Sequence, residues 1–190
     1  MSKQADQLAA TLKNGNYTSL KYVTVMLGAN DACVGDAVLG SSVESMRENF
    51  RAGFDRLAAI QQHEPVHVLV SGMPKIPELG RPDIRDHMTL QNNTCQEARD
   101  ILGLCGGLLN WNSDADYRKF VSLVAERNRI IQEVALEAAI VHLNLRIHFS
   151  NQFFKTPITT TKLAADCFHP NKAGQQEISE VLWKEQPWFK

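Results

Sequence analysis

A carboxylate three residues ahead of an imidazole, on a segment rich in turn formers, can do chemistry. Asp166-Cys-Phe-His169-Pro170 is such a segment. On a loop, the D-x-x-H spacing lets the carboxylate fold back onto the imidazole Nδ1–H. That fixes the tautomer and leaves Nε2 free to take a proton, as a general base with its orienting group. A second segment, Gly28-Ala-Asn30-Asp31, puts a side-chain amide where glycine lets backbone approach closely. An amide N–H so placed can stabilise a developing oxyanion, and losing one such donor raises the barrier by about 2.7–4 kcal/mol. Base, orienter and oxyanion donor are three parts of an acyl-transfer machine. Each segment alone also has a plainer reading. Gly-x-Asn-Asp is a common turn, because Asn and Asp favour left-handed and Asx geometry. Asp166 and His169 could be a helix cap and a surface histidine. Their joint occurrence, one at a strand end and one ahead of a helix, makes the catalytic reading much more specific.

The elements that must position these residues alternate between strand and helix. Tyr22-Val-Thr-Val-Met-Leu27 is β-branched and closes at Gly28, so it reads as a buried strand. Apolar residues at Val43, Met46, Phe50, Phe54, Leu57 and Ile60 step by three and four, which predicts an amphipathic helix capped at Ser41 or Ser42. Val66 to Val70 reads as a second strand, closed by Gly72 and Pro74. A long helix is expected over Asp116 to Ala139, a third strand over Ala139 to Leu145, and a last helix over Lys172 to Trp183, entered through Pro170. Gln4 to Lys13 also reads as helix. Strands separated by helices argue for layered α/β architecture with a parallel sheet. In such sheets the ligand crevice lies beyond the carboxyl ends of the strands, where the first motif sits and the second could reach.

The 190 residues are 44% apolar, enough for one core and one domain. Twenty basic and twenty-one acidic residues leave a net charge of −1, without the basic footprint of a nucleic-acid binder. No apolar run is long enough to span a bilayer, and the N-terminus has no signal-peptide core. The segment 73–115 is rich in Pro, Gly, Asn and charge, and reads as a long, lid-like insertion. The four cysteines, Cys33, Cys95, Cys105 and Cys167, show no zinc spacing, so no metal is expected. Two disulfides would imply an oxidising compartment, secreted or periplasmic, and free buried thiols are the alternative. A Cys95–Cys105 bridge would staple the excursion, leaving Cys33 near Cys167 because both flank the proposed site.

Val23-Thr-Val-Met-Leu-Gly-Ala-Asn-Asp31 resembles block III of the SGNH (GDSL-like) hydrolases, whose pattern is G-x-N-D. Asp166-Cys-Phe-His-Pro-Asn-Lys-Ala-Gly174 resembles their block V. Met73-Pro-Lys-Ile-Pro-Glu-Leu79 is similar to the segment after the next strand in lipase-like members. The resemblance covers nearly the whole chain. It implies a three-layer α/β/α, flavodoxin-like fold with a parallel sheet, and hydrolysis of carboxylic esters through a serine acyl-enzyme with no cofactor. It casts Asn30 as side-chain oxyanion donor beside Gly28, His169 as general base, Asp166 as its orienter and Asp31 as loop support.

One part is missing. The family's nucleophile is the Ser of a Gly-Asp-Ser block that precedes block III. The residues ahead of Gly28 contain Ser2 and Ser19 but no such block, and Gly35-Asp36-Ala37 has Ala where the Ser should be. The resemblance therefore implies a domain over 1–190 that is N-terminally incomplete and lacks the family's first strands. Ser71 ends a strand without a G-x-S-x-G elbow, and Cys33 or Cys167 as nucleophile is weighed against burial or a disulfide. The isolated chain is expected to be inactive toward its small-molecule or lipid acyl ester. Two further readings stand beside this one: a catalytically inactive binding or assembly domain, and a subunit completed in trans by an N-terminal fragment. Without the family's neighbouring strand, Tyr22–Leu27 becomes an open edge, for which a second copy or that fragment is the expected partner.

Overall fold

A computed structural model describes residues 1–15, 17, 19–33, 42–60 and 64–189. The Gly35-Asp36-Ala37 segment and Ser41 lie outside these. In chain order the elements are α1 (Ser2–Asn14), β1 (Tyr22–Val25), α2 (Ala29–Cys33), α3 (Val43–Ala58) and β2 (Val66–Ser71). Then come a 3-10 turn at Ile76–Gly80, α4 (Pro82–Arg85), α5 (Cys95–Leu102), α6 (Gly106–Leu109) and α7 (Asp114–Val141). The chain ends with β3 (Leu145–Ser150), α8 (Gln152–Lys155), a 3-10 turn at Thr160–Lys162 and α9 (Lys172–Glu185).

The three strands form one parallel sheet in the order β1-β2-β3. Helices cover both sides, giving the three layers of an α/β/α fold. Central β2 is the most buried strand: Val66, Val68, Leu69 and Val70 are all at most 2% exposed. Such continuous burial is what a parallel strand covered on both faces requires. One face, with Val23, Val25, Val66, Val68, Val70, Leu145, Ile147 and Phe149, packs against α1, α3 and α7 through Ala5, Met46, Phe54, Ile131 and Val134. The other presents Tyr22, Thr24, Met26 and Leu69 to Ile178, Leu182 and Trp183 of α9. The C-terminal tail folds over this second face. Buried Gln186 accepts from the Trp188 and Phe189 amides, and the Trp188 ring lies 4.9 Å from His67.

Two elements differ from the sequence reading. The Ala-rich run to Val141 stays helical, so α7 is longer than expected and β3 begins only at Leu145. Ala and Leu are strong helix formers, whereas Leu145-Arg-Ile-His-Phe-Ser150 alternates in the period-2 manner of a strand. The segment 73–115 is not an irregular loop. Its short helices and turns contribute Ile76, Leu79, Ile84, Leu108 and Leu109 to the core.

The cysteine pairing also differs. Cys33 is bridged to Cys105 and Cys95 to Cys167, with Cα separations of 4.4 and 5.3 Å. A Cys95–Cys105 bridge is excluded because α5 separates the two residues along its length and directs them to different partners. Each bridge closes a separation of 72 residues. In the chain-entropy treatment a loop of that size contributes about 4 kcal/mol. Peptide mapping without reduction should recover Cys33–Cys105 and Cys95–Cys167 linked peptides, and recovery of a Cys95–Cys105 peptide instead would overturn the pairing.

Candidate active site

The loop ahead of α9 is tied down at almost every residue. Leu163 and Pro170 form an isolated antiparallel bridge, and the Ala164 amide donates to the His169 carbonyl at 2.8 Å. Asn171 caps α9 by accepting from the Gly174 amide at 3.0 Å, while its own amide donates to the Thr161 and Leu163 carbonyls. Gly174 is required there, since a Cβ would collide with the Lys162 carbonyl oxygen.

Inside this frame Asp166 folds back as the spacing predicted. One carboxylate oxygen accepts from the Phe168 and His169 amides, each at 3.0 Å, and the other lies 2.7 Å from His169 Nδ1. Between them Cys167 takes a left-handed backbone, φ 55°. Partial burial pushes the Asp166 carboxyl pKa up. The His169 hydrogen bond and the two amides outweigh that, so the carboxyl is held below its usual range and stays ionised. An ionised Asp166 keeps the proton of a neutral His169 on Nδ1 and turns Nε2 outward. The imidazole is well exposed, with its side chain 61% accessible.

Gly28 ends the β1 segment with φ 106°, a conformation that favours glycine. A Cβ there would also press on Met46 Cε at 3.0 Å and Met73 Sδ at 3.2 Å. The chain then turns directly into α2, which carries Asn30 exposed at the carboxyl end of the sheet. Asn30 and His169 line one cavity of about 260 Å³. Its wall is apolar, with Ile76, Leu79, Phe153, Ile158 and Leu163 among the lining residues, and the Lys162–Glu177 ion pair is at its boundary. Asp31 is not among the lining residues.

Gly72 and Met73, which also line the cavity, are held by a residue the sequence reading missed. Asn128 of α7 accepts from the Met73 amide at 2.7 Å and donates to the Met73 carbonyl at 3.0 Å. Its signal was a polar residue inside an otherwise apolar helical stripe, since Val124 and Ile131 flank it at helical spacing. Asn171, directly after Pro170, carried a cap signal that was likewise unread.

The alternative nucleophiles do not fit. Cys33 and Cys167 are both bridged and offer no thiol. Ser71 is 1% exposed and donates its hydroxyl to the Gly72 carbonyl. Among the described residues no serine lines the cavity. Two phenylalanine rings line it, Phe153 and Phe168. Phe154 lies under the Lys75 ammonium, and Trp111 donates to the Pro77 carbonyl. Among the described residues no helix is long and apolar enough to cross a membrane, and no group of three or more His, Cys, Asp or Glu could hold a metal.

Comparison with curated proteins finds no match. The family model for GDSL-like lipase/acylhydrolase matches residues 1–182, a span that takes in Gly28, Asn30, Asp166 and His169. With the match running over almost the whole chain and the layered parallel sheet in agreement, this protein belongs to the GDSL-like lipase/acylhydrolase family, whose general function is ester hydrolysis.

Proposed function

We propose that this chain supplies the general base, its orienter and the side-chain oxyanion donor of a carboxylic ester hydrolase that works through a serine acyl-enzyme. The observation that carries the reading is the Asp166–His169 hydrogen bond, 2.7 Å long, at an apolar cavity shared with Asn30. His169 Nε2 takes the proton of the attacking serine hydroxyl and later gives it to the departing alkoxide. Asn30 donates its amide to the oxygen that gains charge in the tetrahedral intermediate, where a fixed dipole needs no reorganisation. Gly28 lets the chain turn sharply enough to present that amide. The apolar wall suits an aliphatic acyl group, the part of an ester that gains most from leaving water.

The serine of this reading comes from a strand laid against β1. Among the described residues β1 has β2 as its one sheet neighbour, so its other edge is open. Tyr22-Val-Thr-Val25 has no Lys, Pro or bulge to protect such an edge. A strand added there would end at the carboxyl end of the sheet, alongside Gly28 and Asn30, where a nucleophile is needed. Such a strand belongs to an in-frame segment ahead of Met1 or to a separate chain. A domain kept for binding or assembly is the rival reading, which the same open edge supports.

Three outcomes test this. The 190-residue chain alone should turn over no p-nitrophenyl ester and take no fluorophosphonate label, and a labelled serine within it would sink the proposal. In a form extended by a Gly-Asp-Ser strand, Asn30→Ala should lower kcat about 10²–10³-fold with KM little changed. His169→Ala should lower it at least as far, and near-normal kcat there removes the base assignment. In solution the chain alone should self-associate or exchange its β1 amides rapidly. A monodisperse monomer by light scattering, with slow exchange over Tyr22–Val25, rejects the open edge as a docking strand.

A further inference from the structure

Two tethers from one helix converge on a single residue beside the proposed base. Cys167 lies between Asp166 and His169, is 4% exposed, and takes a left-handed conformation unfavourable for a residue with a Cβ. Something must hold it there, because this turn is what lets Asp166 reach back to the Phe168 and His169 amides and to the imidazole.

The first tether is the Cys95–Cys167 bridge. Cys95 opens α5, whose start is fixed by reciprocal capping bonds between Thr94 and Glu97. The second comes one turn later on the same helix face, where residues four apart are neighbours. Arg99 is 3% exposed, and its Nη1 donates to the Leu79 carbonyl at 2.8 Å and, at a longer 3.4 Å, to the Cys167 carbonyl. Among the described residues no carboxylate lies within ion-pair distance of it. Burying a guanidinium with no carboxylate partner is costly, and main-chain carbonyls are its only hydrogen-bond acceptors among the described residues. The two carbonyls it joins are the cavity wall at Leu79 and the loop that carries the Asp–His pair.

We propose that Arg99 is a positioning residue for the Asp166–His169 pair: with the Cys95–Cys167 bridge it locks the Cys167 turn against the cavity wall, and so fixes which imidazole nitrogen faces the cavity. This rests on reading His169 as the base, but the geometry it concerns can be measured without turnover. The bridge fixes one point of the loop and leaves rotation about it. Arg99 adds the second point, and two points define the turn. Both bonds come from one nitrogen, Nη1, so a lysine at this position keeps the charge but lacks the planar guanidinium that fixes the directions of those two N–H groups.

The test uses the 190-residue chain, with nitrogen-15 NMR of the His169 ring above its titration range. The wild-type chain should show a single Nδ1–H tautomer. Arg99→Met should lose that preference and give the mixed tautomers of a free imidazole, with faster exchange of the Phe168 and His169 amides. A folded Arg99→Met chain that keeps the single tautomer and unchanged exchange overturns the proposal and leaves Arg99 a packing residue. If Arg99→Met does not fold, Arg99→Lys decides. Selective acceleration of those two amides supports the proposal, and acceleration no greater than across the rest of α9 and β2 overturns it. Should His169 prove dispensable for turnover in the extended form, a tautomer still governed by Arg99 leaves the positioning role standing.

Discussion

The molecule is organised around the full burial of β2. A parallel strand with neighbours on both edges and helices on both faces has no surface to give to water. Val66-His-Val-Leu-Val-Ser71 meets that demand at every position but His67, which the C-terminal tail covers with Trp188 and Phe189. Because all three strands run the same way, their carboxyl ends lie together. Leu27, Ala29 and Asn30 beyond β1 and Gly72 and Met73 beyond β2 line the cavity at those ends. The site is where the sheet's direction requires it to be, and the loops only fill in its chemistry.

The motifs reach that point by different means. Asn30 arrives on the chain that leaves β1, so a single glycine with positive φ is enough to place it. Asp166 and His169 come from a loop between β3 and α9 that has no strand of its own. Their placement depends on side chains: the Asn171 cap, the Cys95–Cys167 bridge and Arg99. The excursion between β2 and α7 is what binds the two halves together. Cys105 holds it to α2 beside Asn30, and Cys95 holds it to the loop beside His169. Its buried residues make it a brace between the motifs, with Leu79 in the cavity wall.

Much of this was legible from residue order. The strand before Gly28, the helix from Val43, the strand from Val66 and the last helix were given by periodicity to within a few residues, because each buries one face against the sheet. The D-x-x-H spacing implied the carboxylate–imidazole contact because that contact is local. β3 was misplaced because Ala139 to Val141 is as apolar as a strand, and only its helical neighbours decide the matter. The partners of Arg99, Asn128 and the four cysteines were not legible for a different reason. Each acts across the fold on residues 20 to 72 positions away, and no local pattern encodes which distant carbonyl or thiol will be near.

The arrangement of the two bridges has a consequence for how the chain matures. Cys95 and Cys105 are ten residues apart, whereas each native partner is 72 away. In a disordered chain, closing the shorter loop is favoured by about 2 kcal/mol of entropy, so chain statistics alone favour the wrong pair. The native loops also overlap in sequence, with Cys95 inside one and Cys105 inside the other, so a Cys95–Cys105 bond blocks both at once. The packing of the excursion against the sheet, not the proximity of its cysteines, therefore selects the native partners. The bridges record a fold already attained. They hold in place the two segments that bring Asn30 and His169 to one cavity.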